Sequence, residues 1–235
     1  MKILIRKLRW ILVSLLCLAV AGGAGAYWFL LRDTSASQLA LHADAAVSAA
    51  SSTDLSGEWT VVAGVGKEAT TAGYRVQEKV VGGLVKTTAT GRTSDVTGSV
   101  TVVGRQVTAA QFTVNMTTLK SDKSPRDSVL KSAGIQTNEY PSAEFTLTDP
   151  VTLPSIGTGD IYTVEARGTL KLHGVSNQVT VTVHYKPTKT GFVVLADMPI
   201  KMADYGIKAP SMSGIVSVDN HGSFELLASL AKRVP

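Results

Sequence analysis

The sequence predicts an all-β antiparallel domain with one short helix, carried behind a single N-terminal transmembrane helix. Three observations predict it. Residues 10–31 form one uncharged apolar run. Beyond residue 55 apolar side chains recur with a period of two over many short segments, as expected of strands with one buried face. A single stretch after Ser124 carries helix start and stop signals instead.

The N-terminus comes first. Of the 23 basic side chains five (Lys2, Arg6, Lys7, Arg9 and Arg32) lie in the first 32 residues, which contain no acid. The remaining 203 residues therefore hold 18 basic and 18 acidic side chains, and the formal charge of +5 belongs to the N-terminus alone. The balanced charge of the rest offers no reason to expect a basic stripe for phosphates, which argues against nucleic acid as a partner. Charged residues at 17% and apolar residues at 44% exclude a disordered chain.

As a helix, the 22 residues from Trp10 to Leu31 span about 33 Å, enough to cross a bilayer core. Four cations precede them, so the positive-inside rule puts residues 1–9 in the cytoplasm and everything after Leu31 outside. Trp10 at one end and Tyr27 and Trp28 at the other resemble interfacial belts. A cleavable signal peptide ending at Ala24-Gly25-Ala26 satisfies the same grammar. The greasy Tyr27-Trp28-Phe29-Leu30-Leu31 that follows favours a retained anchor, and both readings export the domain. Cys17, the one cysteine, lies inside this run, so the exported part has no disulfide. Its bland reading is a small apolar side chain, and a Leu before it speaks against lipoprotein attachment.

Residues 32–54, rich in Ala, Ser and Asp, read as a tether that holds the domain off the membrane, with His42 solvated. Residues 55–235 are the folded domain. Its strand alternations are Val100 and Val102; Phe112, Val114 and Met116; Phe145 and Leu147; Leu170 and Leu172; Val179, Val181 and Val183. Further strands are expected over 58–63, 73–80, 86–96, 161–167, 192–198 and 223–230, separated by turns such as His173-Gly174-Val175. The helix opens at Ser124-Pro125-Arg126-Asp127, with Ser as N-cap, packs Val129 and Leu130 inward, and ends at Gly134. About ten short strands avoid open edges by closing into a barrel or doubling into a sandwich, and alternation cannot choose. The inward set is mostly Val and Leu, so a closed barrel could keep a long apolar cavity or pack solid.

Catalytic constellations are missing. There is no H-E-x-x-H, no Cys pair, no Gly-rich phosphate loop and no G-x-S-x-G elbow, since Ser211-Met212-Ser213-Gly214 lacks the first glycine. Asp219-Asn220-His221 offers two metal ligands without a third, and reads as an Asx-rich turn. His173 reads as bonded to its turn backbone rather than catalytic. Asp204-Tyr205-Gly206 reads as a barrel corner. The expectation is a binding protein, not an enzyme, with no metal and no cofactor.

Specific residues then resemble the YceI-like family, in particular its membrane-anchored members. The resemblance rests on Gly73-Tyr74-Arg75-Val76 with Glu78, Gly91-Arg92-Thr93 before Val96-Thr97-Gly98, and Ser121-Asp122 leading to Arg126-Asp127 and Leu130. Tyr140-Pro141 with Phe145, Gly168-Thr169-Leu170-Lys171-Leu172-His173-Gly174-Val175 and Asp204-Tyr205-Gly206-Ile207 complete it. It implies an extended, eight-stranded lipocalin-like β-barrel whose interior takes a polyisoprenoid lipid, such as a prenyl phosphate or a quinone, and it allows a homodimer. The interior positions expected to meet such a chain are Trp59, Tyr74, Val76, Val100, Val102, Phe112, Val114, Phe145, Leu147, Leu170, Leu172, Val181, Val183, Tyr205 and Phe224. Arg92 and Arg126 are the headgroup candidates, because a guanidinium suits an anionic head. For Arg126 and Asp127 the competing use is structural, within the first helical turn. A packed barrel serving as a cell-envelope scaffold is the alternative function.

Overall fold

The computed structural model describes residues 22, 23, 25, 34–42, 55–80, 83–155, 161–188, 191–212 and 216–233. Of the transmembrane expectation only Gly22, Gly23 and Gly25 are described, as helical. The rest of residues 1–33, and residues 43–54 of the expected tether, lie outside the described residues. Among the described residues no helix is long and apolar enough to cross a membrane.

The strands are β1 (Gly57–Val62), β2 (Thr71–Val80), β3 (Val85–Thr93), β4 (Val96–Val103), β5 (Gln106–Asn115), β6 (Lys120–Ser121), β7 (Ser142–Leu147) and β8 (Val151–Thr152). They continue with β9 (Tyr162–Leu172), β10 (Val175–Pro187), β11 (Gly191–Lys201), β12 (Ser211–Met212) and β13 (Val216–Lys232). The helix α1 (Ser124–Ser132) follows β6. All pairings are antiparallel, in the order β1-β4-β5-β7-β9-β10-β11-β13, and β13 returns to β1 to close the ring. The remaining pieces extend these positions. β2 follows β1 along the same side of β13, β3 runs on into β4, β5 into β6 and β7 into β8. The result is an eight-position up-and-down barrel whose first four positions are each broken in two, so the barrel reading holds and the sandwich does not. Closure leaves no open edge on the ring.

The breaks have local causes. Between β3 and β4 the Asp95 amide turns back on Thr93 Oγ1 (3.0 Å), and Asn115 Nδ2 bonds Asp95 Oδ2 (2.7 Å). Between β1 and β2 Thr70 Oγ1 donates to Val62 O (2.5 Å) and accepts from Ser229 N (3.0 Å), stitching the gap to β13. Gly91 is needed because a Cβ there would lie 2.3 Å from the Tyr74 ring.

The helix starts one residue earlier than expected, at Ser124 itself. Lys123 occupies the N-cap position, but its side chain does not cap the helix. Asp127 instead holds the preceding strand, accepting from Ser121 N (2.8 Å) and Oγ (2.7 Å). Gly134 follows the C-cap Ala133 with φ +62°, the left-handed conformation expected there. Leu130 is the helix's buried side chain. It caps one end of the barrel, together with Met116 and the short 3-10 turn Met202–Tyr205.

The outer face carries an unexpected second layer. On β13 Glu225 points away from the barrel interior, yet it is 1% exposed. Its Oε1 accepts from Arg75 Nε (2.9 Å), and its Oε2 is ion-paired with Arg92 Nη2. Residues 34–42 lie across this cluster. Arg75 Nη2 donates to Ala36 O (2.7 Å), Ala36 N donates to Thr90 Oγ1 (2.9 Å), and Leu39 N donates to Glu225 Oε2 (3.4 Å). This part of the expected tether is docked on the barrel rather than free. Glu225→Gln is expected to cost about 3 kcal/mol in denaturant unfolding, the low end for breaking a buried ion pair, because Arg75 keeps a 21% exposed side chain. A loss below about 1 kcal/mol, the usual worth of an exposed pair, would show that water supports the cluster.

Candidate functional site

An apolar cavity of about 130 Å³ lies inside the barrel. It occupies the half bounded by the β4–β5 turn and the β10–β11 turn. The inward positions of nine strands build it. Val100 and Val102 come from β4, Phe145 and Leu147 from β7, Val164 and Ala166 from β9, Val181, Val183 and Tyr185 from β10, and Phe192, Val194, Ala196 and Met198 from β11. β5 supplies Val107, Ala110 and Phe112. Their uneven spacing follows from a bulge opposite Thr101 and Val102, which turns Val107 back to the inner face. Trp59, Val151, Leu153, Leu226 and Leu230 complete the wall. One end is aromatic. Trp59 meets Phe192 edge-on at 4.7 Å, and Tyr185 stacks on Tyr162 at 5.3 Å.

Eight of the fifteen expected interior residues line this cavity: Trp59, Val100, Val102, Phe112, Phe145, Leu147, Val181 and Val183. The other seven, Tyr74, Val76, Val114, Leu170, Leu172, Tyr205 and Phe224, are buried in the core but outside the lining. They fill the half under α1. The residues not anticipated include Val164, Ala166, Phe192, Val194, Ala196 and Met198, whose alternation is plain in the sequence. Val107 had no such signal, since a bulge is invisible to a period of two.

The headgroup candidates are elsewhere. Arg92 sits on the outer face with Glu225. Burial lowers its pKa, with the Glu225 carboxylate opposing that shift. Arg126 donates from Nε and Nη2 to Glu78 Oε1 and Oε2 (3.1 and 2.9 Å) and also pairs with Asp122. Burial would lower the Arg126 pKa too, but its carboxylate partners outweigh burial and raise it. Both arginines thus tie structural elements together, and neither lines the cavity. His173 Nδ1 contacts Tyr205 O (3.0 Å) and Nε2 contacts Gln136 Oε1 (2.8 Å), so both ring nitrogens are engaged in holding loops. Asp219, Asn220 and His221 form an irregularity within β13 rather than a turn, and Asp219 pairs with Lys79 (2.7 Å). Among the described residues no group of three His, Cys, Asp or Glu is placed to hold a metal ion.

Two lining side chains carry hydrogen-bonding groups. The Trp59 indole N–H is satisfied by Leu55 O (3.0 Å). The Tyr185 hydroxyl is buried without a hydrogen-bond partner among the described residues. Burial, reinforced by Tyr162 and opposed by Arg105, pushes its pKa up to about 12.

A closed antiparallel barrel with an apolar interior cavity has the architecture of barrels with room for one small ligand. The YceI-like domain matches residues 59–228, and the chain belongs to that family. Among solved structures it is similar to a polyisoprenoid binding domain from Saccharophagus degradans implicated in plant cell wall breakdown. The identity is 16% and the TM-score 0.56, over 74% of this chain and 98% of that one. It also matches BcnA of Burkholderia cenocepacia (19% identity, TM-score 0.49, 68% and 96% coverage). A third match is the YCEI protein of Campylobacter jejuni (15%, 0.46, 60% and 82%). No functionally curated protein matches the chain.

The orphan hydroxyl generates a test. Tyr185→Phe is expected to stabilise the ligand-free protein by about 1 kcal/mol at neutral pH, because a buried unsatisfied group is removed. Tyr185 ionises near 10.0 when unfolded and near 12 when folded. Over that window the unfolded state loses its proton first, so Tyr185 makes stability fall as pH rises. Unfolding titrations at pH 9 and 11.5 should show a shallower alkaline loss in the variant, and an unchanged slope would contradict the burial.

Proposed function

We propose that this protein is a membrane-anchored, extracytoplasmic binding protein that holds a polyisoprenoid-type lipid, a prenyl phosphate or a quinone, in its barrel. The observation that carries the reading is the apolar cavity. Its wall consists of aliphatic and aromatic side chains with Met198, and among the described residues Tyr185 is the one lining hydroxyl. Such a wall cannot hold a charged or strongly polar body, but it gains about 0.8 kcal/mol for each CH₂ of a chain withdrawn from water. Membership of the YceI-like family supports lipid binding in general, and the anchor reading of residues 10–31 supplies the location.

Size sets a further condition. A cavity near 150 Å³ accepts a guest as large as benzene, so a chain of several isoprene units requires the lining side chains to move apart. Among the lining side chains, flexible Met198 and Leu226 together with Phe145 and Phe192 can turn about their side-chain bonds without altering a strand. The binding mode needs no catalytic step. Neither expected arginine meets the space, so an anionic head would remain at the barrel end or outside it.

Mass spectrometry of organic extracts from the purified full chain should show a long prenyl lipid in stoichiometric amount. Val102→Trp and Val181→Trp, both at the cavity wall, should lose it while circular dichroism stays β-rich, at a cost of about 1 to 3 kcal/mol in stability. Unchanged lipid in both folded variants would place binding elsewhere and favour the scaffold reading. Protease added outside intact spheroplasts should digest the barrel or residues 32–54 and spare residues 1–9. A protected barrel would reverse the orientation.

A further inference from the structure

The described stretch 34–42 begins three residues beyond Leu31, the last residue of the apolar run. It runs the length of the barrel. At its start the Thr34 hydroxyl bonds Asp122, between β6 and α1. Its middle reaches Thr90, Glu225 and Asp197, the last through Gln38 Nε2 (3.1 Å). At its end Lys186 Nζ donates to His42 O (2.8 Å), near the cavity end of β10. The seat is built for it. Thr90, Glu225 and Lys186 are buried polar groups on an outer face, where a polar group would ordinarily be solvated. Beside them the outward Val193 is 1% exposed and shares a cleft with Ala40, Leu41 and His42.

We propose that residues 34–42 are a docking strap that seats the α1 end of the barrel on the anionic headgroup surface of the membrane. The inference rests on the anchor reading of residues 10–31. From Leu31 to Thr34 the chain spans at most about 11 Å, so the outer end of a membrane helix must lie close to Asp122. The roughly 20-residue tether is thereby reduced to a few residues. The end brought down has the chemistry for headgroups. Lys86, Lys120, Lys131 and Lys208 are exposed there, and Leu84 on the β2–β3 hairpin is 83% exposed. Cations around an apolar tip suit an anionic interface. The cavity half is then held away from the bilayer by the length of the barrel.

The test uses the full chain with Cys17→Ser, in vesicles containing phosphatidylglycerol and a headgroup-spin-labelled lipid. A fluorophore is attached at Lys131→Cys on α1 or at Val103→Cys on the opposite end. Quenching should be several-fold stronger at 131 than at 103. Ala36→Pro with Gln38→Ala, or the milder Thr34→Ala with Gln38→Ala, should bring the two ends toward equality while circular dichroism stays β-rich. Equal quenching in the unaltered strap, with the protein in the vesicle fraction, would mean a free tether and overturn the proposal alone. Stronger quenching at 103 would mean the inverted orientation. A difference that survives in folded strap variants would take the role from residues 34–42. Recovery of the protein outside the vesicles would overturn the anchor reading and the orientation with it.

Discussion

Closure by the last strand is the constraint on which the remaining structure depends. β13 pairs with β11 along eleven residue pairs on one side, and with β1 and then β2 on the other. Without that second side the sheet would keep two edges, the interior would open, and neither the packed half nor the cavity would exist. The cost is that β13 must satisfy neighbours on both sides and on both faces. From Phe224 to Leu230 every residue of it is buried. Phe224, Leu226, Ala228 and Leu230 belong to the interior core, whereas Glu225, Leu227 and Ser229 face outward.

That double burial explains what could and could not be read from the sequence. Over 223–230 polar Ser223, Glu225 and Ser229 alternate with apolar Phe224, Leu226, Ala228 and Leu230, and only Leu227 departs from the pattern of a strand with one buried face. The expectation of one buried face, correct for β4, β5 and β10, hid the message that something covers the outside of β13. Glu225 is the charged outward residue of the run, and its two arginine partners come from β2 and β3. Arg92 was therefore recognisable as important, but its partner was not, because register across three strands decides it. Arg126 follows the same logic, meeting Glu78 across 48 positions.

The division of the interior was legible only in part. Alternation identifies which residues face inward: fourteen of the fifteen expected positions are in the core or packed against it, and the other, Leu147, lines the cavity. Whether an inward side chain meets a neighbour or a void depends on what lies opposite. Under α1 the space is filled by Met116, Leu130, Tyr205 and Ile207, supplied by the connections rather than by the strands. In the other half Ala110, Ala166 and Ala196 stand where larger side chains would close the gap. The strand breaks escaped for a related reason. Asp95 and Thr70 act through bonds to Asn115 and Ser229, which no local signal announces.

The same strand also connects the two faces that matter for function. Leu226 and Leu230 form part of the cavity wall, and Glu225 between Phe224 and Leu226 is the buried anchor point for residues 34–42. Because successive residues of a strand point to opposite faces, a shift of β13 large enough to admit a wider guest must also move Glu225 against Arg75, Arg92 and the Leu39 amide. Those charge-assisted bonds are short-ranged and directional. The outer cluster therefore stiffens the β13 side of the wall, and a guest gains its room more cheaply from the opposite side. There Phe145, Leu147 and Val151 line the cavity from the short, broken β7–β8 position. The asymmetry of the barrel, one wall locked from outside and one wall short and interrupted, sets the direction in which its interior can widen.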